Sequence, residues 1–308
     1  MPNTVFASGI NCKNPTVDFD RTICKDKDLF ASDKEMNHLY NSVIKKLSAS
    51  SRDPFVQNQR IWLKFARMRC TGIQLEALVM GQEECIKNEY DVRKKHLGEA
   101  LTASVDGTLI LTNEVSRSFP PADQTSEAYK PDKSVAPSQY PVEKITSLSF
   151  YSTVENGVNA SLPPVFKFEG SGCELDSTET VTFRGSKLIV VQSGSDRYCK
   201  GMAHPTGGIN IITLKMPSLE KVSPSDIFDF SKNWQDALTN FVVKALPTDI
   251  GFGCPGPDCT ITSDRLKQGV VSGDDWEILP SGLTVQYSQY ELAHILMVCQ
   301  RQLLHGVN

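Results

Sequence analysis

Cys85-Ile86-Lys87-Asn88-Glu89-Tyr90-Asp91-Val92-Arg93-Lys94-Lys95-His96-Leu97 sets Ile86, Tyr90 and Leu97 at helical spacing behind a cysteine. The same period appears upstream. Leu29, Met36, Leu39, Tyr40, Val43 and Leu47 recur at three- and four-residue steps and lay one apolar stripe along a helix. Ser48 to Pro54 reads as a polar break, after which Phe55, Ile61, Trp62, Phe65 and Met68 mark a second helix ending at Cys70. A third begins near Glu83. Antiparallel packing of these helices gathers Cys12, Cys24, Cys70 and Cys85 at one end. Crosslinks there would fix the helix ends of a domain too small to rely on its core alone. Four cysteines allow three pairings, and the shortest closed loops favour Cys12–Cys24 and Cys70–Cys85.

A chain of 308 residues has room for two domains, each with a core of its own. Its 40% hydrophobic and 22% charged content is that of a soluble globular protein. No apolar run approaches the roughly 18–20 residues that a spanning helix needs, and Leu292–Val298 is interrupted by His294. The nine cysteines include no C-x-x-C pair, which argues against a zinc ribbon or a thioredoxin-type site. Gaps of 11, 14, 25 and 4 residues, for 12–24, 70–85, 173–199 and 254–259, fit local disulfide loops. Eight cysteines are therefore bridge candidates: Cys12, Cys24, Cys70, Cys85, Cys173, Cys199, Cys254 and Cys259. Cys299, in an apolar segment, is the leftover thiol. Disulfides imply an oxidising compartment, so the expected location is periplasmic or secreted. No basic and apolar leader is visible at Met1, and the expectation is that it has been removed.

The ordered phrases Cys12, Ile23-Cys24, Asp28-Leu29, Asp33 and Tyr40, then Gln59, Trp62, Arg67, Cys70, Cys85-Ile86, Tyr90, Arg93 and Leu97, resemble the helical domain of LprI-type lysozyme inhibitors. The resemblance covers residues 10–100, a third of the chain. It implies a small disulfide-linked helical domain of an exported bacterial protein, and a lysozyme-type glycoside hydrolase as partner.

The composition changes beyond the helices. From Ser116 to Pro141 five prolines alternate with Ser, Asp and Lys, which reads as a linker or long exposed loop. The strand-like Thr108–Thr112 lies before it, so a second domain is expected over 103–308 with the proline-rich stretch as an insertion. Ile145–Ser152, Val165–Glu169, Glu179–Phe183, Lys187–Gln192 and Gly208–Met216 read as strands. Ser231–Leu246 reads as a helix with Trp234, Leu238, Phe241, Val242 and Ala245 on one side, and Asp275–Leu279 with Leu283–Ser288 as a hairpin. The fold class is α+β: a helical domain, then a mixed domain with an antiparallel sheet. Tyr198-Cys199-Lys200-Gly201-Met202-Ala203-His204-Pro205, Pro224-Ser225-Asp226-Ile227-Phe228, Trp276, Gly282-Leu283 and Tyr290-Glu291 resemble, in that order, the extracellular domain of RsiV-type anti-sigma factors. Members of that group sense lysozyme by binding it. After Tyr290 the chain departs from that pattern, with His294 to Gln300 where a glycine-containing strand is expected.

Catalytic patterns are weak. His204 in Ala-His-Pro has no partner at defined spacing, and Pro205 biases it toward extended backbone, so a loop-shaping role is the plainer reading. Ser171 and Ser193 lack a nucleophile elbow. Gly251 to Cys259 has glycines but no Lys-Ser/Thr, unlike a phosphate loop. Cys254 and Cys259 have no histidine near them, which favours a disulfide over a metal. Glu83-Glu84 and Asp274-Asp275 are adjacent acids that diverge rather than face one another as a glycosidase pair must. Lys45-Lys46 and Lys94-Lys95 lack interleaved aromatics, which argues against nucleic-acid binding. Trp62 and Trp234 read as core.

The expected protein is thus a non-enzymatic binder that inhibits or sequesters lysozyme-type hydrolases, with no cofactor and no catalytic or metal residues. The alternatives are an envelope enzyme centred on His204 and a structural or sensory module with another partner. Residues 1–100 carry 16 Lys and Arg against 13 Asp and Glu, and residues 101–308 carry 16 against 23, or +3 and −7. An acidic second half would speed encounter with a basic partner.

Overall fold

The computed structural model describes residues 9–71, 80–118, 142–162, 173–199, 206–229, 233–245, 276–279, 282–285 and 302–304. The chain divides into two compact units, Met1–Asp176 and Ser177–Asn308.

The first unit carries four helices: α1 (Asp18–Lys25), α2 (Lys27–Lys46), α3 (Ala49–Arg69) and α4 (Gln82–Thr102). Asp26 ends α1 and starts α2. Its backbone N–H donates to the Thr22 carbonyl, and its carboxylate accepts from the N–H groups of Asp28 at 2.8 Å and Leu29 at 2.9 Å. One residue thus satisfies groups that both helix ends would otherwise leave open. Of the stripe expected on α2, Leu29, Met36, Tyr40, Val43 and Leu47 are buried and Leu39 is partly buried, while Ile44 is buried as well.

The break expected over Ser48–Pro54 is much shorter. Only Leu47 and Ser48 separate α2 from α3, and Pro54 sits inside α3, in its second turn. Proline there removes one intrahelical hydrogen bond. Tertiary contacts hold the first turn regardless: Ser48 N–H donates to the Ser152 carbonyl at 3.0 Å, and Ser51 Oγ lies 2.8 Å from the same oxygen. These partners lie about a hundred residues downstream, beyond the reach of local propensity.

Three strands complete this unit. β1 (Thr108–Ser118) pairs antiparallel with β2 (Val142–Ser152) from Thr108↔Ser152 to Ser118↔Val142. β3 (Ala160–Leu162) pairs antiparallel with β2. Leu109, Leu111 and Tyr151 enter the same buried cluster as Phe19, Tyr40, Phe55, Trp62, Tyr90 and Leu97. One face of the β1–β2 ribbon therefore closes the helical core, and α3 and α4 pack on it. These strands belong to the first unit.

The second unit contains β4 (Cys173–Arg184) from Ser177 onward, β5 (Leu188–Cys199) and β6 (Thr206–Lys215), adjacent in that order. β5 and β6 are antiparallel from Leu188↔Lys215 to Arg197↔Thr206. A single turn at Pro224–Asp226 and helix α5 (Trp234–Ala245) follow. The expected terminal hairpin is present as β7 (Trp276–Leu279) with β8 (Gly282–Val285), and β9 (Gln302–Leu304) adds to β8. On α5, Trp234 and Leu238 are buried, but Phe241 is exposed, against the expectation that it shares their face. The strand expected at Val165–Glu169 and most of the stretch 116–141 lie outside the described residues.

Both N-terminal disulfides close their shortest loops, Cys12–Cys24 and Cys70–Cys85. Cys70 and Cys85 are part of the core. Thr22 donates to Gln82 at 2.9 Å, which joins the end of α1 to the start of α4 beside both bridges. Replacing Cys70 and Cys85 together by alanine is expected to lower stability by about 3 kcal/mol, the order expected for a loop of this length. Urea unfolding checks this, and an unchanged midpoint would show that the bridge leaves the unfolded chain unconstrained.

Candidate functional site

The residues that carry the N-terminal motif converge inside the first unit. Arg93 on α4 is fully buried. Its Nε and Nη2 donate to Gln59 Oε1 at 3.0 and 2.8 Å, and Nη2 also donates to Asn58 Oδ1 at 2.8 Å. The guanidinium lies 5.6 Å from the ring centroid of Trp62, within cation–π range. Gln59 passes the contact on to α2 by donating to Met36 Sδ at 3.0 Å. Asn58 passes it to the sheet, donating to Asn113 Oδ1 at 2.7 Å, and Asn113 donates to Ser149 Oγ at 2.8 Å. Ser149 and Ser161 hydroxyls meet at 2.9 Å. A single relay thus runs from α2 through α3 and α4 to β1, β2 and β3.

A second centre forms around Asp33 on α2. Its carboxylate accepts the Tyr90 hydroxyl at 3.0 Å and the Ile10 N–H at 3.2 Å. Burial raises the Asp33 pKa above the usual carboxylate value, although the hydrogen bonds from Tyr90, Ile10 and Asn37 oppose that shift. A Cβ on Gly9 would meet Asn37 Nδ2 and Asp33 Oδ2, and both side-chain ends would have to shift. Tyr90 packs edge-on to Trp62 at 5.3 Å between ring centroids, and Tyr40 stacks on Phe55 at 5.2 Å.

Ion pairs tie the remaining contacts. Arg67 holds Asp20 through two bonds at 2.8 and 3.1 Å, joining α3 to α1. Arg69 meets Glu89 at 3.0 Å, joining α3 to α4. His96 Nδ1 lies 3.4 Å from Glu114 Oε1, where α4 meets β1. Each buried carboxylate of this unit stands beside a cation, an imidazole or a phenol and serves packing between elements. Glu83 and Glu84 lie in the first turn of α4, where the helix dipole favours acids. They border an open hollow with Thr22, Met80 and Gln82. Among the described residues no group of three metal-ligating side chains is assembled, and no helix is long and apolar enough to cross a membrane.

Asp33, Tyr40, Gln59, Trp62, Cys70, Cys85, Tyr90, Arg93 and Leu97 are all buried. These nine specify architecture, whereas Asp28 of the same motif is exposed and Arg67, Cys12 and Cys24 are half-buried. Sequence reasoning missed Asn58, Asn113 and Glu114, because no helical or strand period singles out a polar residue that bonds across elements. Cys173 opens β4 and Cys199 closes β5. His204, Cys254 and Cys259 lie outside the described residues. Trp276 is buried in the second unit, 5.6 Å from Phe228 and 5.9 Å from Trp234 between ring centroids.

With this geometry in place, the comparisons with known proteins are informative about the first unit. The family described as lysozyme inhibitor LprI matches residues 12–97, the segment that builds the four helices and both disulfides. No curated protein matches the chain. Among solved structures, a DUF3298 family protein from Bacteroides fragilis is similar at 12% identity with a TM-score of 0.42, over 65% of this chain and 92% of that one. Another from Pseudomonas aeruginosa is similar at 14% identity with a TM-score of 0.36, over 66% and 92%. Both scores lie below 0.5, and no function is drawn from either.

The buried phenols give the unit a defined alkaline limit. Burial raises the Tyr40 pKa to about 12, raises Tyr90 well above the ordinary phenol value, and raises Tyr151. A raised folded-state pKa favours folding fully below the unfolded value near pH 10, and that contribution is lost as pH climbs toward about 12. Arg93 runs the other way, lowered by burial to about 10, so its desolvation penalty eases over the same range. The phenols outnumber it. Phenolate absorbance should therefore appear in two stages, the second coincident with loss of helical circular dichroism. Ionisation of all eight tyrosines near pH 10 with the helices intact would contradict the burial.

Proposed function

We propose that this chain is an exported protein that binds a lysozyme-type peptidoglycan hydrolase and blocks it without chemistry of its own. The observation that carries this reading is the match of residues 12–97 to the lysozyme inhibitor family, joined to the internal placement of the motif residues. An inhibitor has to present a rigid surface to an enzyme cleft, and rigidity reduces the ordering cost of association. Two disulfides and the buried relay provide that rigidity in the first unit. The same disulfides support an oxidising compartment, periplasmic or extracellular.

The acidic balance of residues 101–308 adds a kinetic role. Basic hydrolases would be drawn toward it at low salt, and the attraction would fade as the Debye length falls from about 10 Å at 0.1 M to about 3 Å at 1 M. Inhibition of chicken-, goose- and invertebrate-type lysozymes by the full chain tests the reading. At least one type should be inhibited stoichiometrically, with association slowed by salt and a residual inhibition persisting at high salt from the desolvated contact. No inhibition of any type at low salt would remove the proposal.

A further inference from the structure

Most of the motif residues are buried in the first unit, so a contact surface is sought among exposed side chains. Among the described residues of the unit, the exposed large apolar ones are Val17, Ile61, Met80, Val154 and Val158. Val17, Ile61 and Met80 stand on separate elements, and single exposed apolar residues need no functional explanation. Val154 and Val158, 55% and 42% exposed, share one loop, Val154-Glu155-Asn156-Gly157-Val158, between β2 and β3.

That loop is held unusually firmly for a surface turn. The Thr153 N–H and hydroxyl both donate to the Gly107 carbonyl, at 2.7 and 2.8 Å. Val154 N–H donates to the Ser152 hydroxyl at 3.1 Å, and that hydroxyl donates to the Val154 carbonyl at 2.9 Å. Gly157 N–H donates back to Val154 at 3.2 Å. Asn159 Oδ1 accepts from Ser152 N–H at 3.0 Å and from the Ser51 hydroxyl at 2.6 Å. Asn156 is left-handed at φ 61°, a conformation asparagine tolerates better than most residues. A Cβ on Gly157 would stand 2.7 Å from Ser152 Cβ, so glycine alone lets the loop close. The result is a preordered turn carrying two partly exposed apolar side chains, with the Val154 methyls resting beside Gly107 and Gly157.

The tip's polar chemistry narrows what it fits. Glu155, the loop's one carboxylate, is exposed and is tied back through Oε1, which accepts from the Ala49 N–H at 3.0 Å at the start of α3. The outward polar group is the exposed amide of Asn156, a carbonyl and an N–H pair like those of an acetamido group. A lysozyme-type cleft presents two catalytic carboxylates and binds acetamido sugars through apolar walls and paired hydrogen bonds. A plug for it needs methyl groups, an amide, and no free carboxylate aimed at the acids.

We propose that the Val154–Val158 loop is the inhibitory wedge, entering the saccharide cleft of a lysozyme-type hydrolase with Val154 and Val158 against its walls and the Asn156 amide in an acetamido site. This rests on the reading given under Proposed function. The test compares the full chain with Val154→Ser/Val158→Ser and with Ile61→Ser on α3, against the three lysozyme types. The double variant should weaken inhibition by about tenfold or more, and Ile61→Ser should leave it within about twofold. A chitooligosaccharide should compete with the wild-type chain. Hydrogen exchange on the wild-type protein, which needs no variant to fold, should show amides 153–158 slowed when lysozyme is bound. Undiminished inhibition by the folded double variant, or unprotected loop amides in an inhibited complex, overturns the wedge while the inhibitor reading stands. Absence of inhibition by the wild type overturns both.

Discussion

The Arg93 guanidinium is the contact on which the first unit depends. It sits fully buried among three helices and reaches the sheet through Asn58 and Asn113. A charge in that position is costly to desolvate, and burial lowers its pKa accordingly. It is held by the neutral amides of Gln59 and Asn58, the Trp62 ring and the nearby Glu114 charge. Replacing such a group by an apolar residue of similar size is often nearly neutral when all partners are replaced with it. Removing it alone strands them. The relay thus specifies how α2, α3, α4 and the β1–β2 ribbon meet more than it adds net stability.

That specification has a functional consequence. With Asp33, Gln59, Trp62, Tyr90 and Arg93 committed inward, the features shared with a lysozyme inhibitor family supply a rigid frame. The surface of the frame is free to carry recognition. The two disulfides act on the same end of the helices, where Thr22 bonds Gln82, and constrain the unfolded chain. The turn after β2 is the preordered element proposed above for recognition. Its hydrogen bonds to Ser51 and Ala49 anchor it on α3.

Periodicity made α2, α3 and α4 legible, because each hides one apolar stripe and strands or loops would not preserve that spacing. The local loop lengths pointed to Cys12–Cys24 and Cys70–Cys85. Pro54 misled, since the contacts that keep α3 helical around it come from Ser152, about a hundred residues away. Likewise, nothing local indicates that Leu109, Leu111 and Tyr151 finish the helical core. The Val154–Val158 loop was illegible for the same reason. Val-Glu-Asn-Gly-Val looks like an ordinary turn until Asn159 and Ser51 are seen to be bonded across 108 positions. In the second unit, β-branched runs located β4, β5, β6 and the β7–β8 hairpin, but amphipathic spacing alone overstated the burial of Phe241.

A double-mutant cycle on Arg93 and Gln59 tests the central claim that the motif is an internal frame. Arg93→Met, Gln59→Leu and the double variant are unfolded in urea beside the wild type. The account predicts a coupling of about 1–3 kcal/mol, with the double variant more stable than the sum of the single losses implies, because the second change removes a partner already stranded. Losses that add to within about 0.5 kcal/mol would contradict it, and would mean that Arg93 and Gln59 do not act together in holding the helices.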